Sequence, residues 1–297
     1  MPRETPGDLP PPLGGGGQGA GAPQRPHADE IALASPTTVL DHRPVGANLF
    51  ELWLSFARAA SCQPGQFVHV RCGEGLLRRP FSFYRVQRDA VSLLYHVKGK
   101  GTRWMSRLTV GDTLDVLGPL GRGFCYEGLS ATTGDVLLVS GGVGLPALYL
   151  LADELVGREI PVRLFHGEVT ARPEMTFACL QDFAQLLGDG AIVCTTEDGS
   201  FGQKGLVTDA LEAELRRRST APVSLYACGP APMLREVARL AHEYRIPAQI
   251  SVEAPMGCGF GVCLGCVIPV RDREGNRVRF KRVCVEGPVF SADELLW

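Results

Sequence analysis

The chain has 297 residues, of which 45% are hydrophobic and 21% are charged, a length and composition that predict two globular domains. Its 30 basic and 32 acidic residues give a net charge of −2, and this lack of a basic excess argues against nucleic-acid binding. The longest apolar stretch, Val136–Ala152, is interrupted by Ser140, three glycines and Pro146, so no membrane-spanning helix is expected. Without a recognisable secretion signal we predict a cytoplasmic protein, in which ten cysteines indicate metal or redox chemistry.

The first 28 residues differ from the rest of the chain. They are rich in Pro and Gly and carry almost no large apolar side chain. Such a segment cannot offset the entropy lost on ordering, so we predict a disordered tail over residues 1–28.

Residues 29–126 consist of short extended runs separated by Pro and Gly turns. This pattern predicts a small antiparallel β-barrel. The strand-like runs are Leu49–Phe56, Gln66–Cys72, Ala90–Lys98 and Asp112–Gly118.

Residues 133–251 alternate short apolar runs with helical segments. This alternation predicts βαβ units and a doubly wound parallel sheet. The predicted strands are Asp135–Ser140, Pro161–Gly167, Ala191–Glu197, Val223–Gly229 and Pro247–Glu253, and the predicted helices are Leu145–Val156, Met175–Leu187, Gly205–Arg217 and Ala231–Glu243.

The last segment, residues 252–297, contains four cysteines in the pattern C-x4-C-x2-C…C. This spacing is typical of plant-type [2Fe–2S] proteins, and the intervening glycines permit the tight loop that three converging thiolates require. The four cysteines are Cys258, Cys263, Cys266 and Cys284. A zinc site, which usually shows two C-x2-C pairs, and merely structural cysteines are the alternatives.

Two strand ends in residues 133–251 are suited to a nucleotide. Gly142-x-Gly144-x-x-Ala147 follows a buried strand and opens a helix, where glycines allow close approach to a pyrophosphate. Cys228-Gly229-Pro230 ends another strand at the sheet edge where ligands bind in open α/β folds. A purely structural turn is the alternative.

Two loops in the barrel region are suited to phosphate. Arg79-Pro80-Phe81-Ser82 offers a guanidinium fork and a hydroxyl, and Gly99-Lys100-Gly101-Thr102 stands at the start of a short helix. A solvated arginine beside a turn is the alternative for the first loop.

Together these motifs resemble those of the ferredoxin–NAD(P)+ reductase superfamily, which also shares the G-P-L-G-x-G-F turn at Gly118–Phe124. With the C-terminal cysteines added, residues 30–297 are similar to the electron-transfer subunits of type B dihydroorotate dehydrogenase. The resemblance implies FAD in the barrel, NAD on the α/β domain and a [2Fe–2S] cluster in the last segment. It also implies electron transfer to a separate FMN-containing catalytic subunit of pyrimidine biosynthesis, in a heterotetramer with two copies of each subunit.

The resemblance further implies roles for individual residues. The implied flavin contacts are Arg79 at the phosphate, Ser82 near the isoalloxazine, Pro80, Phe81, Tyr95, His96 and Val97 beside it, and Gly101 and Thr102 at the pyrophosphate. The implied NAD contacts are Gly141, Gly142, Gly144, Pro146 and Glu197, with Cys228 as a catalytic residue beside the nicotinamide. The implied cluster ligands are Cys258, Cys263, Cys266 and Cys284.

The sequence also predicts a preference for NAD over NADP. NADP-using members of the superfamily carry a Ser-Arg pair where this chain has Thr196-Glu197, followed by Asp198. Two carboxylates there would repel a 2′-phosphate, although Arg172 in the preceding loop could weaken the repulsion. The alternative is that both carboxylates only solvate a loop.

Two other functions fit the same motifs. One is an electron-transfer subunit of another complex, of the sulfhydrogenase gamma type or the small subunit of an NADH-dependent ferredoxin:NADP oxidoreductase. The other is a non-enzymatic adaptor protein with a degenerate nucleotide-binding fold, in which zinc stabilises the C-terminal segment.

Overall fold

The computed structural model describes residues 34–75, 77–132, 134–171, 177–218, 224–272 and 277–297, all of which belong to one compact unit. The predicted tail, Arg172 and the polar turn at residues 273–276 lie outside the described residues. No helix in the described ranges has both the length and the apolar character needed to cross a membrane.

The predicted β-barrel is confirmed as a seven-stranded antiparallel sheet with the order β4-β3-β7-β1-β2-β6-β5. Its strands are β1 (Ala34–Gly46), β2 (Leu49–Ser55), β3 (Phe67–Val70), β4 (Arg79–Ser82), β5 (Arg85–Gln87), β6 (Ala90–His96) and β7 (Thr113–Leu120). Phe81 on β4 packs edge-on against Tyr95 on β6, with 6.0 Å between ring centroids, so the sheet curls around its own core. A short helix, α1 (Lys100–Met105), follows β6.

The predicted parallel sheet is also confirmed, and it is larger than expected. Five parallel strands are flanked by a two-residue strand and by an antiparallel strand, in the order β11-β10-β9-β8-β12-β13-β16. Its strands are β8 (Val136–Gly141), β9 (Val162–Glu168), β10 (Ile192–Thr196), β11 (Gln203–Lys204), β12 (Ser224–Cys228), β13 (Ala248–Ser251) and β16 (Val289–Ser291). The helices are α2 (Tyr149–Gly157), α3 (Phe177–Leu187), α4 (Val207–Arg217) and α5 (Ala231–Glu243).

The C-terminal segment contributes the outermost strand of this second sheet. After β13 the chain forms the cysteine loop and a hairpin, β14 (Val267–Arg271) with β15 (Val278–Arg282), and then returns as β16. Phe290 of β16 and the buried Cys266 and Cys284 share one apolar cluster with residues of β12 and β13. This segment therefore packs into the α/β core, and the predicted boundary at residues 251 and 252 stays a prediction.

An arginine of the barrel joins the barrel to the α/β half. Arg85 lies 4.9 and 5.0 Å from the ring centroids of Tyr84 and Tyr149, and its Nη2 is 2.5 Å from Oδ2 of Asp182 on α3. Tyr84 also donates a hydrogen bond to Asp182. Because one charged side chain contacts both halves, it helps to fix the α/β sheet relative to the barrel.

Candidate functional site

The predicted phosphate-binding loops of the barrel lie next to each other. A Cβ built on Gly101 would be 3.6 Å from Cγ of Arg79, so the start of α1 packs against β4. Arg79 is exposed, and its Nη1 donates to the carbonyl oxygens of Leu77 and Arg78 at 2.9 and 3.1 Å. Within the described ranges no carboxylate pairs with it, which leaves its charge available for a phosphate.

Thr102 has a structural role at this point. Its Oγ1 accepts hydrogen bonds from the amides of Lys98 and Gly99 at 2.9 and 3.1 Å, which fixes the turn that begins α1. Backbone amides in the first turn of a helix have no partner within that helix. A pyrophosphate contact at Gly101 and Thr102 would therefore use the backbone rather than the hydroxyl.

The second predicted flavin strand is held by a half-buried hydrogen-bond chain. Nδ1 of His42 lies 2.8 Å from the carbonyl oxygen of Leu108 and must donate to it, so Nε2 accepts the hydroxyl of Tyr95 at 2.9 Å. Burial raises the pKa of Tyr95, which keeps this hydroxyl protonated. The neighbouring His96 has a buried Nε2 with no hydrogen-bond partner among the described residues. Among the described residues, this unpaired atom, the unpaired charge of Arg79 and the close packing of Gly101 against Arg79 fit the binding of a polar ligand. The individual flavin contacts, including Val97, stay predictions.

The glycine loop after β8 comes unusually close to the end of β12. A Cβ on Gly144 would lie 2.2 Å from the carbonyl oxygen of Cys228, and one on Gly141 would lie 2.9 Å from Cδ of Pro230. Gly142 has a left-handed φ of 51°, and Pro146 lies in the helical turn that follows. The two predicted nucleotide motifs therefore pack directly against each other, and at Gly141 and Gly144 they leave no room for a side chain.

Cys228 at the end of β12 is almost fully buried. Burial raises the pKa of its thiol to about 12. At neutral pH the group is therefore a neutral thiol, which suits packing against a nicotinamide better than acting as a nucleophile.

The predicted ribose-binding residue lies farther along the same sheet edge. Glu197 is exposed directly after β10, and two strand spacings of about 5 Å separate β10 from β8. Hydrogen bonds from the hydroxyls of Ser200 and Thr170 lower the pKa of the adjacent Asp198 to about 2. Both the position and the fixed negative charge agree with the predicted discrimination against a 2′-phosphate.

One polar group beside the glycine loop was missed by the sequence analysis. Oγ of Ser140 lies 2.8 Å from Nδ1 of His166, whose Nε2 is 3.3 Å from Oε1 of Glu168. A Cβ on Gly142 would lie 3.9 Å from Oε2 of Glu168. Because both β8 and β9 end here, alternating polar residues at the ends of two adjacent apolar strands could have revealed the group.

The four predicted cluster cysteines meet as two pairs. Sγ of Cys266 and Sγ of Cys284 are 3.3 Å apart, and the amide of Cys263 donates to Sγ of Cys258 at 3.5 Å. Among the described residues, no three His, Cys, Asp or Glu side chains are grouped as they would be around a single metal ion. Two pairs of thiols match the needs of a two-iron cluster, in which each iron takes two cysteine sulfurs.

The loop favours the thiolate form of its first cysteine, Cys258. Although desolvation opposes ionisation, hydrogen bonds from the amides of Cys263, Phe260 and Val262 and from the Cys263 side chain lower the pKa of Cys258 to about 6. The amide of Gly265 donates to Sγ of Cys263 at 3.4 Å. Such amide-to-sulfur hydrogen bonds stabilise anionic sulfur and tune iron–sulfur centres, so the residues present fit the predicted cluster.

The cluster loop contacts the barrel through a residue that sequence patterns did not single out. His69 on β3 is completely buried, and its Nδ1 lies 3.1 Å from the carbonyl oxygen of Cys258. Burial is the main reason that the pKa of His69 is lowered, so the ring is neutral. The cluster loop therefore contacts β3, the strand that pairs with the predicted flavin strand Arg79–Ser82.

Comparisons with known proteins agree with this arrangement. Residues 253–296 match the family described as the iron–sulfur cluster binding domain of dihydroorotate dehydrogenase B. The electron-transfer subunit of dihydroorotate dehydrogenase B (NAD(+)) from Geobacillus sp. (strain WCH70) is 40% identical over 87% of this chain and 97% of its own length. The protein of the same name from Desulforamulus reducens is 38% identical over 79% of this chain and 87% of its own length.

A solved structure supports both the fold and the layout. A chain of the NADH-dependent reduced ferredoxin-NADP oxidoreductase is 28% identical, with a TM-score of 0.73 over 88% of this chain and 90% of that one. The cytochrome b5 reductase domain of Ulva prolifera nitrate reductase, at 16% identity and a TM-score of 0.60, shares the fold. Since relatives near 40% identity match over nearly their whole length, the chain belongs to the family of dihydroorotate dehydrogenase B electron-transfer subunits.

Proposed function

We propose that this chain passes electrons between NAD and the FMN of a dihydroorotate dehydrogenase catalytic subunit, through FAD on the barrel and a [2Fe–2S] cluster in the C-terminal segment. The observation that carries the proposal is the contact between the cluster loop and β3, the strand paired with Arg79–Ser82. When bound, a flavin would take two electrons from NADH as a hydride and release them singly to an iron–sulfur centre.

The protein side of this function is binding and orientation. Arg79 would neutralise a flavin phosphate, and the Tyr95 hydroxyl is fixed by His42, which keeps the second flavin strand rigid. The glycine loop after β8, held against the end of β12, would bring a pyrophosphate to the backbone of two strand ends. Glu197 would accept hydrogen bonds from a free ribose hydroxyl.

The cluster loop also supplies a surface for the catalytic subunit. Phe260, Val262 and Leu264 are 52%, 72% and 59% exposed, and all three lie between or next to cluster cysteines. Such apolar side chains are suited to the centre of a protein–protein contact. Docking there would place the cluster close to the partner's FMN, and two copies of each subunit would complete the heterotetramer.

The cofactors are tested on the purified chain by its visible spectrum, its iron and zinc content and the electron paramagnetic resonance of the reduced protein. We expect FAD together with two iron atoms for each chain, as a [2Fe–2S] cluster requires. Cys263→Ser should lose iron and keep FAD, whereas Cys125→Ser, a change at an exposed cysteine outside the cluster loop, should keep both. Zinc without iron in the unmodified chain would contradict the proposal.

The docking surface is tested by exchanging one exposed valine for a charge. Val262→Glu should weaken association with the catalytic subunit and lower NADH-linked turnover of orotate. The matched control is Val110→Glu, since Val110 is similarly exposed, at 67%, on a barrel turn. Equal association of both variants, measured by sedimentation, would argue against this surface.

A second candidate is the electron-transfer subunit of a ferredoxin-linked complex. The similarity to the NADH-dependent ferredoxin-NADP oxidoreductase chain over 90% of that chain favours it. Both candidate functions use the same layout of flavin, nucleotide and cluster sites, so the partner protein distinguishes them. Dependence of NADH oxidation on orotate and the catalytic subunit supports the first function. Dependence on ferredoxin supports the second.

A further inference from the structure

We infer that His69 is a positioning residue that holds the cluster loop against β3, the partner of the predicted flavin strand β4, and so sets the electron-transfer contact between flavin and cluster. The role of His69 in electron transfer rests on the proposed function. The contact between His69 and the cluster loop does not depend on that function.

The first support is the place of His69 in the sheet. It lies on β3 directly opposite Pro80 of β4 and Leu117 of β7. Opposed residues of an antiparallel pair project from the same face, so the ring shares a face with Pro80 of the predicted flavin strand. The backbone of His69 is held in turn by Arg78, whose Nη1 donates to its carbonyl oxygen at 3.4 Å and to that of Asp115 at 2.9 Å.

The second support is how closely the loop approaches the ring. A Cβ on Gly259 would lie 2.5 Å from Nδ1 of His69, and Gly259 has a left-handed φ of 83°. Only glycine satisfies both conditions. The residue after the first cluster cysteine therefore fits the imidazole specifically.

The third support is the hydrogen bond that crosses the interface. A carbonyl oxygen can only accept, so Nδ1 of His69 carries the proton and donates it to Cys258. Nε2 is buried and has no hydrogen-bond partner among the described residues. An apolar ring would fill this space without the cost of burying an unpaired nitrogen. The hydrogen-bond donor at Nδ1 is therefore the property that favours histidine at this position.

The test compares two amide substitutions in the full chain, loaded with its cofactors and bound to its catalytic subunit. In His69→Asn the amide nitrogen occupies nearly the place of Nδ1, whereas in His69→Gln it extends one carbon farther. Hydrogen exchange of the backbone amides of residues 256–265 reports loop opening. Stopped-flow absorbance after mixing with NADH reports the rate of cluster reduction.

We expect His69→Gln to speed exchange in the loop by about tenfold, the factor that one net hydrogen bond can carry, and to slow cluster reduction by at least as much. His69→Asn should stay within about threefold of the unmodified protein in both measurements. Loss of iron from His69→Gln alone also supports the inference, because it shows that the loop depends on the donor.

Equal behaviour of the two variants, whether both match the unmodified protein or both lose iron, would overturn the inference. The first result would show that the hydrogen bond is dispensable, and the second that His69 only fills space. A wrong assignment of cofactor or partner would show in the spectra and in the partner assays, and it would leave the exchange comparison readable.

Discussion

The closest backbone approach in the nucleotide site can be tested with a single methyl group. In Gly144→Ala the new Cβ would stand 2.2 Å from the carbonyl oxygen of Cys228 and 2.7 Å from the amide nitrogen of Gly229. These contacts are about 1 Å too short, and both partners are backbone atoms that cannot rotate away. Overpacking of this kind costs about 1–3 kcal/mol, or roughly 2–4 °C in Tm for each kcal/mol in a chain of this size.

Relief of these short contacts should move the glycine loop away from β12. This displacement should weaken NADH binding by about tenfold. Thermal unfolding and calorimetric titration with NADH measure the two effects. Gly157→Ala is the matched control, because a Cβ there meets nothing within 4 Å, and it should leave stability unchanged or raise it slightly. Normal Tm and NADH affinity in Gly144→Ala, or an equal loss in Gly157→Ala, would refute the reasoning.

Three further changes have defined outcomes. Glu197→Arg should narrow the preference for NAD over NADP in kcat/KM, since one carboxylate at about 5 Å from a 2′-phosphate is worth about 3 kcal/mol before screening; an unchanged ratio would remove Glu197 from the site. Arg85→Met should destabilise the fold by about 1–3 kcal/mol in urea titrations, less than a fully buried pair because Arg85 and Asp182 are 24% and 27% exposed. It should also slow flavin reduction, because the ion pair of Arg85 with Asp182 between the two halves is lost, and an unchanged rate would contradict that link. Tyr95→Phe should cost about 1–2 kcal/mol by leaving Nε2 of His42 without a donor; calorimetry showing no loss would contradict the tautomer assigned to His42.

The parts of the fold that could be predicted are those with strong local patterns. Every residue of β8 is buried, as expected of a central parallel strand, and its apolar run marked it clearly. By contrast, β1 contains Pro36 and Pro44 and several polar residues, so its sequence does not look like a strand. The three-residue β16 is stabilised by pairing with β13, a contact that local sequence does not contain.

The site divides in the same way. Cysteine spacing predicted four cluster ligands, but the proximity of Cys266 to Cys284 depends on how the hairpin returns. His69 and Cys258 are separated by 189 positions, and a lone histidine in an apolar strand carries no local sign of such a contact. Glycine patterns likewise predicted a nucleotide loop without showing that Gly144 would lie against Cys228.

The pairing of β16 with β13 has a consequence for how the redox segment is built into the protein. β13 ends at Ser251, and Val289, the first residue of β16, is its partner in the ladder. The chain thus leaves the sheet and re-enters it at the same rung, with both ends of the excursion about 5 Å apart. Closing a loop between such fixed ends depends only weakly on its length, by about 0.6 kcal/mol for each doubling. Because Cys266, Cys284 and Phe290 pack into the α/β core, only the parts of the segment outside that buried cluster can change in length without redesign of the sheet beneath them.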